Sequence, residues 1–159
     1  MNDQLPLFTT QQKELTSDDW YTPKFIFDAL DLTFDIDVAC PHNGPWHTPT
    51  NSYYTQETDG LSSKWSGRVF MNPPYSKPSP WVKKWIDHGN GIALMVMTKS
   101  HWFESLWTHP ETAVIYMRQI KFERPGFPKG AASSWSYGLW AIGSDNIEAL
   151  EQSKLGRVR

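Results

Sequence analysis

At 159 residues and 18.3 kDa the chain is long enough for one ordinary domain with its own hydrophobic core, and Cys40, its single cysteine, excludes an intrachain disulfide and fits a reducing compartment. No basic segment followed by an apolar stretch opens the chain, and the longest aliphatic run is Ile92 to Met97, so no segment is expected to enter or cross a membrane. The net charge of -2 hides an asymmetry: residues 1 to 60 carry ten acids and two bases, residues 61 to 159 seven acids and thirteen bases, which gives the second half a surface able to face phosphates or simply to stay solvated.

The first nineteen residues are polar and without period, which predicts an N-terminal arm over 1 to 19 and a folded domain over 20 to 159. Thr22 and Pro23 read as N-cap and first position of a helix running to Asp31, with Phe25, Ile26, Ala29 and Leu30 on its inner face. Phe34 to Ala39 alternates as a strand does. Cys40 to Tyr54, rich in Pro, Asn, Thr and His, predicts a long ordered loop. Arg68 to Met71 is a short apolar strand halted by two prolines. Ser79 and Pro80 open a second helix with Trp81, Val82, Trp85 and Ile86 inward, Lys83 and Lys84 outward, and Gly89 and Gly91 closing it. Strands follow at Ile92 to Thr98, Thr112 to Met117 and Ser134 to Ile142, with a short aromatic helix at His101 to Trp107 and a Gly/Pro/Lys loop over 123 to 131. Alternating strands and helices predict an α/β fold around a mostly parallel sheet.

The chemistry concentrates at Met71-Asn72-Pro73-Pro74-Tyr75-Ser76. A proline disfavours the helical region for the residue before it, so Asn72 is expected to be extended, and Pro73 and Pro74 each hold φ near -65°. A stiff turn at the open end of a strand brings the Asn72 amide oxygen and the Pro73 carbonyl together as acceptors, with Tyr75 beside them as a flat surface. Two acceptors and a π-face suit an amino group on an aromatic ring, and ligands in open α/β sheets bind at the carboxyl ends of strands. The same residues also suit a plain proline-stiffened turn capping a strand.

This tetrapeptide resembles the signature of the amino-methyltransferases, and its setting resembles the phage-type DNA N6-adenine methyltransferases of the Dam family. Trp20-Tyr21-Thr22-Pro23, Asp37-Val38-Ala39, Asp59-Gly60-Leu61 with Trp65, and Val69 to Ser76 stand in that family's order over residues 18 to 142. The resemblance implies a compact Rossmann-like fold that uses S-adenosyl-L-methionine to methylate the N6 amino group of adenine in double-stranded DNA, after flipping the base out of the helix. It implies that Asn72 and the Pro73 carbonyl accept hydrogen bonds from that amino group, that Pro74 stiffens the loop and that Tyr75 stacks on the adenine. It also places Trp20, Tyr21, Thr22, Pro23, Asp37, Ala39, Asp59, Gly60, Leu61 and Asn72 around the cofactor: Thr22 and Pro23 near its methionine moiety, Asp37 near its amino group and Asp59 near its adenine. Asp37 is followed by VACPHNGPW, whose single glycine is Gly44, instead of the glycine-rich turn common in methyltransferases.

Lys77, Lys83, Lys99 and Trp102 near the expected catalytic rim, and Arg118, Lys121, Arg124 and Lys129 in a basic, aromatic stretch, are candidates for DNA contact. Cys40, His42 and His47 lack a fourth ligand at a familiar spacing, so no metal is expected. With no room for a large target-recognition domain, sequence reading is expected from loops over 40 to 58 and 118 to 133 or from a second subunit; the protein is expected to be a monomer or homodimer. Kinship with phage enzymes implies a bacterial cytoplasm and a role in restriction-modification or regulation. RNA or protein-glutamine methylation with the same loop, and a non-catalytic DNA-binding relative, are the alternatives.

Overall fold

The computed structural model describes residues 20 to 159, with the backbone alone over 127 to 132; the polar arm predicted over 1 to 19 lies outside the described residues. The chain is a mixed α/β protein. In order it forms α1 (Lys24–Leu30), β1 (Ile36–Asp37), β2 (Val69–Met71), α2 (Ser79–His88), β3 (Gly91–Val96), α3 (His101–Thr108), β4 (Thr112–Met117), β5 (Lys121–Arg124), β6 (Phe127–Ala132), β7 (Tyr137–Ile142) and α4 (Ser144–Gln152). A five-stranded sheet has the order β1-β2-β3-β7-β4; β5 and β6 pair separately. β1, β2 and β3 are parallel, while β7 is antiparallel to both β3 and β4, so four strands run one way around one reversed strand.

Side-chain alternation sorts the core into two layers, one on each face of the sheet. Ile92 and Leu94 of β3 and Leu139 of β7 join Ile26, Phe27 and Leu30 of α1 and Leu150 of α4 on one face. Ala93 and Met95 of β3 and Trp140 of β7 meet Trp81, Val82 and Trp85 of α2 and Leu106 of α3 on the other. Helices on both faces explain why β3 and β7 are buried at every position and read as continuous apolar runs. Both edges of the sheet are covered by irregular chain. Asp37 exchanges backbone hydrogen bonds with Ser52 (3.0 Å) and Tyr54 (2.8 Å), and Val114 with Arg159 (2.9 and 3.0 Å), which removes two exposed ladders.

Several local expectations are corrected. The first helix begins at Lys24, with Pro23 extended (ψ 146°) at the cap and no side-chain cap; the Thr22 hydroxyl is engaged elsewhere. Phe25 is exposed, not inward. The strand expected over 34 to 39 narrows to Ile36–Asp37. Gly91 does not close α2 but opens β3, where an added Cβ would lie 2.4 Å from the Val69 carbonyl oxygen. Lys84 turns inward: it lies 4.7 Å over the Trp65 ring and donates to the carbonyls of Gly60 (3.1 Å), Leu61 (2.7 Å) and Ser63. The loop expected over 123 to 131 is the β5–β6 hairpin, its turn at Pro125 and Gly126, and the strand expected from Ser134 begins at Tyr137.

Candidate active site

β2 ends at Met71 because the prolines that follow cannot continue the ladder, and the Asn72-to-Tyr75 loop leaves at the carboxyl ends of β1 and β3, its parallel neighbours. Pro73 is buried, and Asn72, Pro74 and Tyr75 are half-buried. The Tyr75 hydroxyl turns inward and shares its proton between Asn72 Oδ1 (2.8 Å) and the Leu94 carbonyl (2.9 Å), while Asn72 Nδ2 makes a long hydrogen bond of 3.4 Å to Thr22 Oγ1. Burial pushes the Tyr75 phenol well above its ordinary pKa, with the neighbouring Tyr137 adding to the shift, so Tyr75 remains a donor. Its ring lies 6.0 Å from that of Tyr137. These contacts hold the Asn72 amide at both ends and use one of the two lone pairs on its oxygen; the second can accept from another amino group.

The structure brings Thr22 and Asn72 together from positions 50 residues apart. Thr22 is buried, and Tyr21 beside it forms a two-way backbone bridge to Glu123 of β5 (2.8 and 3.0 Å). Trp20 lies under the Arg124 guanidinium at 5.4 Å. Pro23 starts α1. The first motif is therefore clamped between the Asn72-to-Tyr75 loop and the hairpin.

Asp37, at the end of β1, is almost fully buried, and its carboxylate accepts from the Thr48 hydroxyl (2.9 Å) and the Ala39 amide (3.2 Å). Among the described residues these are its side-chain partners, and neither is a cation. Desolvation therefore dominates and pushes its pKa up to about 7, the two hydrogen bonds offsetting part of the rise. A buried carboxylate so placed suits a cationic ligand group. Burial, and secondarily Asp37, push the Cys40 thiol up, leaving it a protonated core residue. The rest of the Cys/His cluster diverges: His42 lies 3.6 Å from Glu57 and His47 bonds Glu123 at 2.6 Å.

Asp59, Gly60 and Leu61 form a left-handed turn (Asp59 φ 50°). The exposed Asp59 carboxylate accepts from the Leu61 amide at 3.1 Å; the Ser62 hydrogen bond chiefly, with Lys84 contributing least, lowers its pKa. Its contacts are thus within its own turn and with α2. Gly60 has a steric role: an added Cβ would lie 2.0 Å from the Val38 carbonyl oxygen and 3.1 Å from Trp81. Gly60→Ala is expected to destabilise the fold by about 3 kcal/mol, the upper end of overpacking costs, read as a lower urea midpoint at unchanged slope.

Of the basic candidates, Lys77, Lys99 and Arg118 are exposed in segments following β2, β3 and β4, at the same end of the sheet as the Asn72-to-Tyr75 loop, and Lys121 is exposed on β5. Lys83 instead pairs with Asp87 along α2. Trp102 is half-buried against both core layers. The Lys129 side chain lies outside the described residues. Sequence reasoning missed Thr48, the Leu94 carbonyl, Tyr137 and the His47–Glu123 contact. Thr48 and His47 fall in a loop without period, and a main-chain acceptor leaves no residue-type signal.

A family model described as DNA N-6-adenine-methyltransferase (Dam) matches residues 9 to 134. The chain is similar to the DNA N-6-adenine-methyltransferase of Haemophilus phage HP1 (strain HP1c1), 31% identical over 104 residues, 58% of each chain. It is also similar to the DNA N-6-adenine-methyltransferase of Escherichia phage T1, 30% identical over 95 residues, 55% of this chain and 39% of the phage protein. The match thus spans well under two thirds of either relative, and no solved structure matches. With the family model covering most of the chain, from the Trp20 motif through the Asn72-to-Tyr75 loop to the hairpin, the protein belongs to the DNA N-6-adenine-methyltransferase (Dam) family.

Proposed function

We propose that the protein transfers a methyl group from S-adenosyl-L-methionine to the N6 amino group of adenine in double-stranded DNA, with residues 20 to 159 acting as a compact Rossmann-like methyltransferase domain. The observation that carries the reading is the Asn72 amide, held by Tyr75 and Thr22 at the end of β2 with a lone pair left on its oxygen. Membership of the family supports it, as do relatives named for this reaction.

The adenine amino nitrogen is tied up in base pairing within a duplex, so the base must leave the stack. Asn72 Oδ1 and the Pro73 carbonyl accept its two N–H groups, aligning the nitrogen lone pair and increasing its electron density. Tyr75 flanks the ring. The cofactor supplies a methyl group already activated on a sulfonium, so the chain's task is alignment and electrostatics, not strong base catalysis. Nitrogen gains the methyl group, the S–CH3 pair stays on sulfur, and the amine gives one proton to water. Asp37 would hold the ammonium of the methionine moiety; Trp20, Tyr21, Thr22, Pro23, Ala39, Gly60 and Leu61 would surround the cofactor, with Asp59 toward its adenine.

Lys77, Lys99, Arg118, Lys121, Arg124 and Lys129 would face DNA phosphates. The reading carries with it a monomer or homodimer in the cytoplasm of a bacterial host of phage, where DNA modification counters restriction or serves regulation. Among the described residues no helix is long and apolar enough to cross a membrane.

Purified protein incubated with methyl-labelled S-adenosylmethionine and, separately, unmethylated duplex DNA, RNA and a protein extract tests the reaction. Label is expected in duplex DNA as N6-methyladenine. Label confined to RNA or to protein glutamine would replace the substrate assignment, and no transfer from folded, cofactor-binding protein would favour a non-catalytic DNA-binding relative.

A further inference from the structure

We infer that Trp46 is a preformed stacking platform for a nucleobase of the bound DNA, at the rim between the catalytic loop and the Asp37 side of the site; this rests on the DNA methyltransferase reading. The indole is 49% exposed, yet the chain around it is fixed at three points. The Tyr21 hydroxyl donates to the Gly44 carbonyl at 3.1 Å. His47 bonds Glu123 of β5 at 2.6 Å, and the Thr48 hydroxyl donates to Asp37 at 2.9 Å. The ring itself is held on two sides, stacked on His47 (4.3 Å between centroids, 20° between planes) and edge-on to Tyr21 (5.4 Å, 84°). Gly44, at φ 86°, makes the turn that sets it there, where a Cβ would sit 3.2 Å from the Tyr53 ring.

These contacts also locate the ring. Tyr21 precedes Thr22, whose hydroxyl meets Asn72, and His47 precedes Thr48, which meets Asp37. Each residue that holds the Trp46 ring is thus the chain neighbour of a residue bonded to the proposed adenine acceptor or to the proposed ammonium site. A large ring held by two aromatic neighbours but left half in water has its conformational cost met before any ligand arrives, which is the condition under which stacking adds most to affinity. Stacking tolerates any base, whereas the exposed Lys99 and Arg118, which follow β3 and β4 at the end where the Asn72-to-Tyr75 loop leaves the sheet, suit the phosphates of the same strand. A flipped adenine leaves its neighbours in the helix unstacked, and an indole at the rim can replace the lost contact.

The test uses the full chain and a synthetic duplex carrying its methylation site, with 2-aminopurine at the target adenine to report flipping. Trp46→Ala is expected to weaken duplex binding about tenfold and to lower the flipping signal, Trp46→Phe to recover binding to within about threefold, and neither to change S-adenosylmethionine affinity measured by calorimetry. Trp107→Leu, an exposed tryptophan at the end of α3, is the control and should bind DNA as wild type does. Equal DNA binding by wild type and Trp46→Ala overturns the proposal, as does a loss of cofactor affinity in place of DNA affinity, which would put the ring on the cofactor. Wild-type protein that neither binds nor methylates DNA would instead bring down the methyltransferase reading itself.

Discussion

Asn72→Ala is expected to lower the turnover of methyl transfer to DNA by about a hundred- to a thousandfold, the usual consequence of deleting one prealigned polar group from a transition-state site. The side chain is half-buried and its two partners are hydroxyls that water can satisfy, so the variant should fold and melt within a few degrees of wild type. Asn72→Asp separates alignment from mere bulk. A carboxylate keeps an acceptor where Oδ1 stands and still receives the Tyr75 proton, and the Thr22 hydroxyl can reverse to become a donor. Activity within about tenfold of wild type is therefore expected for it. Steady-state kinetics on a site-containing duplex reads both: kcat should fall in Asn72→Ala with little change in KM, because the interaction strengthens as charge develops on nitrogen. A rise in KM at constant kcat would make Asn72 a binding residue only.

The second large effect concerns Asp37. Its folded-state pKa of about 7 lies above the ordinary 3.8, so the native state holds more protons than the unfolded chain between those values. The contribution of this group to stability is full below about pH 4 and is lost as pH rises through 7, an upper bound of about 4 kcal/mol at neutral pH. Asp37→Asn keeps an oxygen for Thr48 and Ala39 while removing the charge. It is expected to match wild type near pH 4 and to exceed its urea stability near pH 8. Cofactor binding should show the converse. If the carboxylate receives an ammonium, binding pulls its pKa down and expels a proton, approaching one per site at pH 6 and falling toward none at pH 8. Calorimetry in two buffers of different ionisation enthalpy measures that number. Asp37→Asn should lose the proton release and at least tenfold in affinity. Wild-type binding with no pH-dependent proton release would remove Asp37 from the cofactor site.

What could be read from the sequence follows the strength of local pattern. β2, α2, β3, α3 and β4 were legible because a run such as Ile92 to Val96, or the spacing of Trp81, Val82 and Trp85, has one period and clear stops at Pro73 or Gly89. The β5–β6 hairpin was not, since Pro125, Gly126 and Pro128 outweigh the flanking strand residues; Pro128 is tolerated because the pair has only edge strands. Nor was α4 anticipated: Ile147 and Leu150 give it only a brief apolar stripe. In the site, the Asn72-to-Tyr75 loop announced its own stiffness through its prolines. The inward turn of Tyr75 onto the Leu94 carbonyl did not show, because it depends on β3 lying beside β2. Thr22 looked like a helix cap because Thr-Pro is a good local cap; the tertiary hydrogen bond to Asn72 prevailed. Trp46 and His47 take their roles from Tyr21 and Glu123, partners that no spacing within residues 40 to 54 can indicate.

Methylation of adenine by the Asn72 loop is tested most directly by single-molecule sequencing of DNA from a methylation-deficient bacterial host expressing the protein. Wild type is expected to leave N6-methyladenine at a recurring short site, and the Asn72→Ala chain, expressed to the same soluble level, to leave none above background. Unmodified DNA from cells full of folded wild-type protein, or modification that survives Asn72→Ala unchanged, would contradict it.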